Sequence, residues 1–257
     1  MKISSIINYS NSNNKSQNFR GYSANVYKDG SLAYKTLSCF YRADLHWVKF
    51  VNYIIDKYKG VDKVNILNHA CSAGYEPYSM LMLLMKNLGK NSKKYLPIIA
   101  RDIDSDMINL AKHCNLPVDS LELSVLKNKS GNVFDDNFEV KKIENAKIRV
   151  LDNKYIVSCK TDLKDNIKFC QSDVFKDKAL INKENTILLF RNVWMYLGAK
   201  NISELADFLA TNMKKSSILV IGDFDIANHI DEILVDRGFK GNVCKGNENY
   251  VFEAPGG

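Results

Sequence analysis

Short apolar runs alternate with amphipathic segments along most of the chain, and this alternation indicates its architecture. Apolar residues at helical spacing, as in 202–215, predict helices between the runs. The runs themselves predict buried strands at 64–68, 96–101, 167–170, 186–190 and 216–224. A last segment, 248–254, is predicted to enter as an antiparallel edge strand. Strands that alternate with helices predict an α/β fold with a doubly wound, mostly parallel sheet.

The segment NHACSAGYEPYS, residues 68–79, joins the first predicted strand to an apolar run that ends at Gly89. Ser72 and Gly74 therefore fall on a turn between a strand and a helix. Pro77 lies close to the first helical position, where a missing N–H costs nothing. Ligands bind at such turns in open α/β sheets, because strand ends and helix N-termini converge there. We therefore predict that Ser72 and Gly74 contact a ligand.

Polar residues also follow two other predicted strands. Asp102 ends the second strand, where nucleoside-binding α/β folds place an acid that accepts hydrogen bonds from both ribose hydroxyls. A structural cap is the competing interpretation for Asp102, whereas Asp104 is better placed as a helix N-cap. Arg191 and Asn192 follow the strand 186–190, which should lie beside the first strand. This pair is interpreted either as lining a cofactor site or as an Asn cap next to packed aromatic residues.

The start of the chain predicts an ordered domain that follows a tail. Residues 1–23, rich in Asn and Ser, are predicted to be disordered, and 24–257 to form the folded domain. A Lys-Asp-Gly turn predicts a hairpin within 24–36. Helical spacing follows up to Gly60, with Asp44 as a predicted cap or first-turn acid.

Residues 116–166 interrupt the alternation and predict an inserted annex. Short helical pieces with a loop are predicted up to Phe138. Period-two alternation then predicts a β-hairpin that turns at 152–153. Such insertions can carry partner contacts, although simple decoration is the plainer interpretation.

Composition is that of an ordinary globular protein, and it excludes several classes. The 257 residues are 46% apolar and 25% charged, which suits one domain with a large core. No apolar run approaches about 18 residues and no secretory signal is seen, so no membrane insertion is expected. The six cysteines form no CxxC pair and the four histidines show no metal spacing. Reduced thiols, a cytoplasmic location and no metal site are therefore predicted.

The net charge of +7 is concentrated in the first 60 residues, which hold nine Lys and Arg against three Asp. A solvated basic segment is the plainer interpretation of this excess. The functional alternative is a surface that attracts an acidic partner. The basic residues form no dense run and no known binding motif, so no nucleic-acid partner is predicted.

Six segments, in order, resemble those of the CheR-type chemotaxis-receptor methyltransferases. ACSAGYEPYSMLMLL (70–84) is similar to the family's ACSTGEEPYS motif. The other similar segments are TLSCFYR, ARDIDSDMINLAK, YIVSCKTDLKDNIKF, QSDVF and FRNVWMYL. The resemblance runs from about Thr36 to the C-terminus, and six ordered matches are specific where one alone would not be.

The resemblance implies an S-adenosylmethionine-dependent O-methyltransferase that acts on a glutamate carboxylate of a chemoreceptor, an acidic protein substrate. Arg42 and Tyr196 match the pair proposed to sit at the transferred methyl. Asp102 would hold the ribose, and Asp173 and Val174 would edge the adenine. Besides Ser72 and Gly74, the cofactor-binding residues implied are Thr36, Ser38, Arg42, Glu76, Asp102, Asp173, Val174, Arg191 and Asn192.

Departures from the family's pattern fall on the substrate side more than on the cofactor side. Tyr75 replaces the first acid of the family's GEE, and we expect it to mark a changed substrate preference. GDFD (222–225) replaces GHSE, Asp173 replaces an Asn, and only 35 residues precede Thr36, where the family usually has a helical domain. Two alternatives therefore remain. One is a methyltransferase of this fold with another protein or a small molecule as acceptor, and the other is a non-catalytic cofactor-binding module.

Overall fold

A computed structural model describes residues 38–143, 155–160, 163 and 165–256, and its strands build two sheets. The strands are β1 (Asn65–His69), β2 (Ile98–Asp102), β3 (Asn115–Val118), β4 (Phe138–Lys142), β5 (Tyr155–Cys159), β6 (Ile167–Gln171), β7 (Thr186–Phe190), β8 (Ile218–Val220) and β9 (Val251–Glu253). The six-stranded main sheet has the order β6-β2-β1-β7-β8-β9, and the smaller antiparallel sheet has the order β3-β5-β4.

Helices cover the main sheet and connect its strands. They are α1 (Trp47–Lys57), α2 (Tyr75–Leu88), α3 (Ser105–His113), α4 (Ser120–Ser130), α5 (Asn132–Asn137), α6 (Lys178–Ile181), α7 (Ala199–Asn212), α8 (Asp223–Ile226) and α9 (Ile230–Asp236). Short 3-10 helices occupy Gly89–Tyr95, Val174–Asp177 and Trp194–Tyr196. Among the described residues, no helix combines the length and apolar character needed to span a bilayer.

The main sheet has the predicted doubly wound topology. β1, β2 and β6 pair in parallel toward one edge, and β7 and β8 pair in parallel toward the other. β9 closes the second edge antiparallel to β8, as predicted. The direction of strand addition therefore reverses between β1 and β7, and ligands of open α/β sheets bind in the crevice at such a reversal.

Neighbouring residues of β1 show why the sheet is covered on both sides. Ile66 and Leu67 are both buried, but they belong to different hydrophobic clusters, because successive side chains of a strand point to opposite faces. The cluster that contains Ile66 includes Phe50 of α1 and Leu81 of α2. The cluster that contains Leu67 includes Leu205 of α7. A strand buried on both faces reads as a continuous apolar run, which is why a fully buried strand such as β7 was predictable.

The annex differs from the prediction in one strand and one pairing. Asn115–Val118 is the strand β3, although 116–138 was expected to hold only helical pieces and loop. It pairs with β5, which also pairs with β4 and so forms the centre of the small sheet. Alternation over four residues was too short to separate strand from helix. The predicted first arm of the hairpin and its turn at 152–153 lie outside the described residues, as do the tail and the 24–36 hairpin.

One local prediction near the site was wrong, and a second residue there has a buried partner that was not predicted. Asp44 neither caps α1 nor lies in its first turn, because α1 begins at Trp47 and its N-cap is His46. The Tyr75 side chain is 1% exposed and its hydroxyl donates to the Pro117 carbonyl of β3 at 2.9 Å, and the expectation that Tyr75 marks a changed substrate preference stays a prediction. Both residues serve partners that are remote in sequence. The prediction that Asp104 caps α3 is confirmed, because its carboxylate accepts from the Asp106 N–H at 2.8 Å.

Removing the Tyr75 hydroxyl tests whether this bond stabilises the contact between the annex and α2. We expect Tyr75→Phe to lower the free energy of unfolding by ~1 kcal/mol, since a buried hydrogen bond is lost while the ring remains. Tyr53→Phe is the matched control, because that hydroxyl lies 3.3 Å from a half-buried Glu253 carboxylate that Lys57 also contacts. Urea unfolding measures both, and equal losses in the two variants would contradict the assigned role.

Candidate active site

The predicted site residues gather where the parallel strands end. Ser72 and Gly74 follow β1, Asp102 ends β2, Asp173 follows β6, and Asn192 follows β7. The carboxyl ends of parallel strands meet at one edge of a sheet, so residues far apart in sequence come together at that edge here, where open α/β sheets bind their ligands. Thr36 lies outside the described residues, and its predicted cofactor contact stays a prediction.

Asp102 is tied to the turn after β1. Its carboxylate accepts the Ser72 N–H at 2.8 Å and the Asp104 N–H at 2.9 Å. Burial raises the pKa of Asp102, and these two N–H groups partly offset that effect by favouring the carboxylate. Ser72 has a positive φ of 50°, a conformation that non-glycine residues adopt infrequently. Asp102 therefore does cap backbone N–H groups, as the competing interpretation held. An acid held in this way can still offer carboxylate oxygens to a ligand at this edge.

Gly74 lets α2 start close to its neighbours. Its φ is 95°, and a Cβ there would lie 3.1 Å from the Ala111 side chain and 3.3 Å from the rings of Phe169 and Tyr78. Only glycine suits both the positive φ and the close packing. The next polar residue on α2, Glu76, therefore projects from the first turn, and Asn68 Nδ2 of β1 donates to it at 2.7 Å.

A buried arginine links Glu76 to the segment before α1. Arg191 donates through one Nη to Glu76 and through the other to Asp44, and its own side chain is 1% exposed. Burial opposes its charge, but the two carboxylates outweigh burial and raise the pKa of Arg191. The guanidinium carbon also lies 5.3 Å from the ring centroid of Trp47. Arg191 is thus a permanent cation that fixes two acids at the crevice.

Asn192 continues this network toward α8. Its Nδ2 donates to Asp44 at 2.8 Å, and its Oδ1 accepts the Phe224 N–H at 3.0 Å. Gly222 allows this contact, because a Cβ at that position would lie only 2.3 Å from the Asn192 amide. Asn192 has a φ of 57°, which asparagine tolerates better than most residues. Both ends of the amide are therefore engaged by protein groups.

Asp225 fixes the backbone that carries Asn192. Its carboxylate accepts N–H groups from Asn192 at 2.5 Å, from Gly222 at 2.9 Å, and from Val193 and Trp194 at 3.1 Å. One buried carboxylate thus joins the loop after β7 to the loop after β8. Asp225 stands in the GDFD segment, at the position of the family's GHSE acid.

Arg42 and Tyr196 lie on different loops of the same edge. The Arg42 side chain is 24% exposed, with Nε 3.6 Å from Asp44 and Cζ 5.2 Å from the Phe224 ring centroid. Tyr196 ends the 3-10 helix after β7 and is 45% exposed. Their predicted position at the transferred methyl stays a prediction.

The side chains of three further predicted cofactor residues are partly or fully buried, or are already bonded to protein groups. The Asp173 carboxylate caps a 3-10 helix by accepting the Phe175 N–H at 3.0 Å, and Val174 is buried. Ser38 is half-buried at the start of the described chain. For these three, as for Glu76 and Asn192, contact with a cofactor stays a prediction.

Sequence reasoning missed the residues that hold the site together. Asp44 joins Arg191, Asn192 and Arg42, yet its proximity to a helix start favoured a cap. Asn68 is a fully buried amide within an apolar strand, which was a signal that it contacts another polar group. Asp225 and Phe224 were noticed only as departures in GDFD, and their partners lie about thirty residues earlier.

The acids at this edge of the sheet suit S-adenosylmethionine. Its ribose hydroxyls and its ammonium group are donors, and its sulfonium is a cation. Asp102 and Glu76 supply carboxylate oxygens on neighbouring elements, and among the described residues the buried Asn68 Oδ1 has no hydrogen-bond partner. These residues therefore fit the cofactor, with Asp102 suited to the ribose and Glu76 to the cationic end.

The fold and the site define the class of an S-adenosylmethionine-dependent methyltransferase. A family model described as "CheR methyltransferase, SAM binding domain" matches residues 36–234, well over half of the chain. The chain belongs to the CheR methyltransferase family. Its relative from Borreliella burgdorferi, a "Chemotaxis protein methyltransferase", is 28% identical over 164 residues, which cover 62% of this chain and 51% of the relative. The chain thus spans about half the length of that relative.

Solved structures of other methyltransferases show weaker similarity. A TehB-like SAM-dependent methyltransferase from Corynebacterium glutamicum is 13% identical, with a TM-score of 0.42 over 82% of this chain and 89% of that one. The magnesium protoporphyrin IX methyltransferase of Synechocystis, with bound SAM, is 12% identical, with a TM-score of 0.35 over 76% and 68% of the two chains. At these scores they carry no argument about function, and the assignment depends on the family match.

Replacing Arg191 tests the buried network. We expect Arg191→Met to lower the free energy of unfolding by about 3–5 kcal/mol, because it leaves the Asp44 and Glu76 carboxylates without their cation. Arg237→Met is the control, since Arg237 pairs with the exposed Asp207 and should cost below about 1 kcal/mol. Chemical denaturation of both variants measures the difference. If Arg191→Met costs no more than the control, the network does not stabilise the fold.

Proposed function

We propose that this protein transfers the methyl group of S-adenosylmethionine to a glutamate side chain of a chemoreceptor. The observation that carries the proposal is the position of Arg42 beside the network of Asp44, Arg191 and Glu76. This partly exposed cation lies next to the residues that fit the cofactor. Membership in the CheR family and the name of the Borreliella relative support the acceptor class. An acidic acceptor also agrees with the chain's excess of basic residues.

The reaction needs positioning more than acid–base chemistry. A glutamate carboxylate has a usual pKa near ~4.3, so it is already an anion at neutral pH and needs no general base. The bound cofactor supplies an electrophilic methyl group on a sulfonium. The protein must place the carboxylate oxygen in line with that methyl and exclude other nucleophiles. We propose that Arg42 orients the acceptor carboxylate and that Tyr196 contacts the reacting centre.

The geometry of this sheet edge supports a proposed role for each cofactor residue. Asp102 would accept hydrogen bonds from the ribose hydroxyls, with Ser72 and Gly74 shaping the turn beneath it. Glu76 would face the cationic end. Arg191 and Asn192 would act mainly by holding Glu76 and Asp44 in place, since their polar atoms already bond to protein groups. We place the protein in the cytoplasm, where thiols such as its six free cysteines stay reduced.

Cofactor binding is tested most directly with S-adenosylhomocysteine and no acceptor. We expect the wild type to bind it and Asp102→Ala to bind it at least tenfold more weakly, because a carboxylate-to-ribose contact is lost. Asp165→Ala is the control, since Asp165 is exposed before β6, at the opposite end of the strands. Isothermal calorimetry gives the dissociation constants. The cofactor assignment fails if the wild type shows no heat of binding.

Methyl transfer to the acceptor is tested with tritiated donor and receptor fragments. We expect label to enter glutamate residues and to be released by mild alkali as volatile methanol, which is the behaviour of a carboxyl methyl ester. Tyr196→Phe should lower the rate more than it changes the affinity for S-adenosylhomocysteine.

Two outcomes would redirect this proposal. Alkali-stable label, or label only in other proteins of a lysate, would favour a different acceptor for the same fold. Tight binding of S-adenosylhomocysteine without any transfer would favour the non-catalytic cofactor-binding module.

A further inference from the structure

Phe224 is an exposed aromatic residue beside Arg42, and neither the cofactor nor the methyl transfer described above gives its ring a role. It lies in the first turn of α8 and is 40% exposed. We propose that Phe224, together with Asp44, is a positioning residue that holds the Arg42 guanidinium with its outer N–H edge toward a ligand carboxylate. The identity of that carboxylate depends on the proposed function.

Two groups contact the Arg42 guanidinium, Asp44 and the ring of Phe224. Asp44 lies along the Nε edge at 3.6 Å, and the Phe224 ring lies 5.2 Å from Cζ, within the range of a cation–π contact. Within the part of the chain that the structure describes, neither Nη atom has a hydrogen bond or an ion pair. A guanidinium presents its donors as a planar fork, which matches the two oxygens of a carboxylate. The open edge of Arg42 therefore has the geometry of a carboxylate receptor.

The two contacts that orient Arg42 are themselves fixed. Asp44 is 2% exposed at its side chain and is held by Arg191 and by Asn192. Phe224 is held through its backbone N–H, which donates to Asn192 Oδ1 at 3.0 Å. Asn192 therefore places both the acid and the ring. A long, flexible side chain such as arginine loses conformational entropy when it is held in one rotamer. If folding already fixes that rotamer, ligand binding does not have to overcome this entropy loss.

A plainer interpretation is that the ring covers the aliphatic stem of Arg42 as any apolar residue would. The two interpretations differ in what can replace phenylalanine. Tyrosine keeps a π face over the guanidinium, whereas leucine keeps a similar apolar bulk without that face. Phe224→Tyr and Phe224→Leu are therefore a matched pair, and their thermal unfolding midpoints report whether both fold as the wild type does.

The first measurement needs no ligand. Phenylglyoxal modifies accessible arginines, and mass spectrometry of the Arg42 peptide gives its rate. A guanidinium released from the ring should react about threefold to tenfold faster in Phe224→Leu, the range that corresponds to a contact of this strength, and at the wild-type rate in Phe224→Tyr. A wild-type rate in Phe224→Leu, or equal acceleration in both variants, would overturn the proposal.

The second measurement identifies the source of the carboxylate. If Arg42 takes the acceptor glutamate, Phe224→Leu raises the acceptor KM severalfold and leaves the dissociation constant of S-adenosylhomocysteine unchanged. If it takes the amino-acid end of the cofactor, that dissociation constant rises, while binding of 5′-methylthioadenosine, which lacks the carboxylate, is unchanged. Equal weakening of both nucleosides would contradict a carboxylate role.

Failure of the proposed function gives a different pattern. A wild type that binds S-adenosylhomocysteine but methylates no receptor fragment removes the acceptor assignment. The phenylglyoxal rates of the Phe224 pair still decide whether the ring positions Arg42. The two proposals can therefore fail independently.

Discussion

The buried charge of Arg191 is the constraint on which the site depends. A guanidinium without partners in a protein interior costs several kcal/mol, so the fold must bring carboxylates to it. Asp44 comes from the segment before α1, and Glu76 from the first turn of α2. These acids are 147 and 115 positions away from Arg191 along the chain, so a single cation fixes three distant segments at one edge of the sheet.

Hydrogen bonds and ion pairs connect the buried Arg191 to exposed side chains that a ligand can contact. Asp44 orients Asn192 and Arg42, and Asn192 accepts the backbone N–H of Phe224. Asp225 joins the two loops that carry Asn192 and Phe224. Charged groups that already bond to one another inside the protein need little rearrangement when a ligand binds, and this suits the proposed reaction, which depends on alignment. The segment GDFD, which differs from the family's GHSE, fits into this network. Asp225 bonds to backbone N–H groups, and the Phe224 side chain is exposed.

Local pattern predicted the parallel strands well and the roles of individual side chains less well. The strand 186–190 was predicted with its observed bounds, because a strand buried on both faces is apolar throughout. Asp104 was predictable as a cap because its partners lie two and three residues away. The role of Asp44 was predicted wrongly and the bond of Tyr75 was not predicted, because their partners, Arg191 and Pro117, are brought near only by the packing of the sheet and the annex.

The sequence by itself determined the alternation of strands and helices in the main sheet and the turn at 68–79, because each depends on residues close together in the chain. It also determined the family, because six segments along the chain match in order. The tertiary structure decided which acids meet which arginines, since those pairings depend on the reversal of strand order between β1 and β7. It also decided that Asn192 serves Asp44 and Phe224 in this structure. Side-chain partners across a sheet edge follow from geometry in space, and no spacing along the chain encodes them.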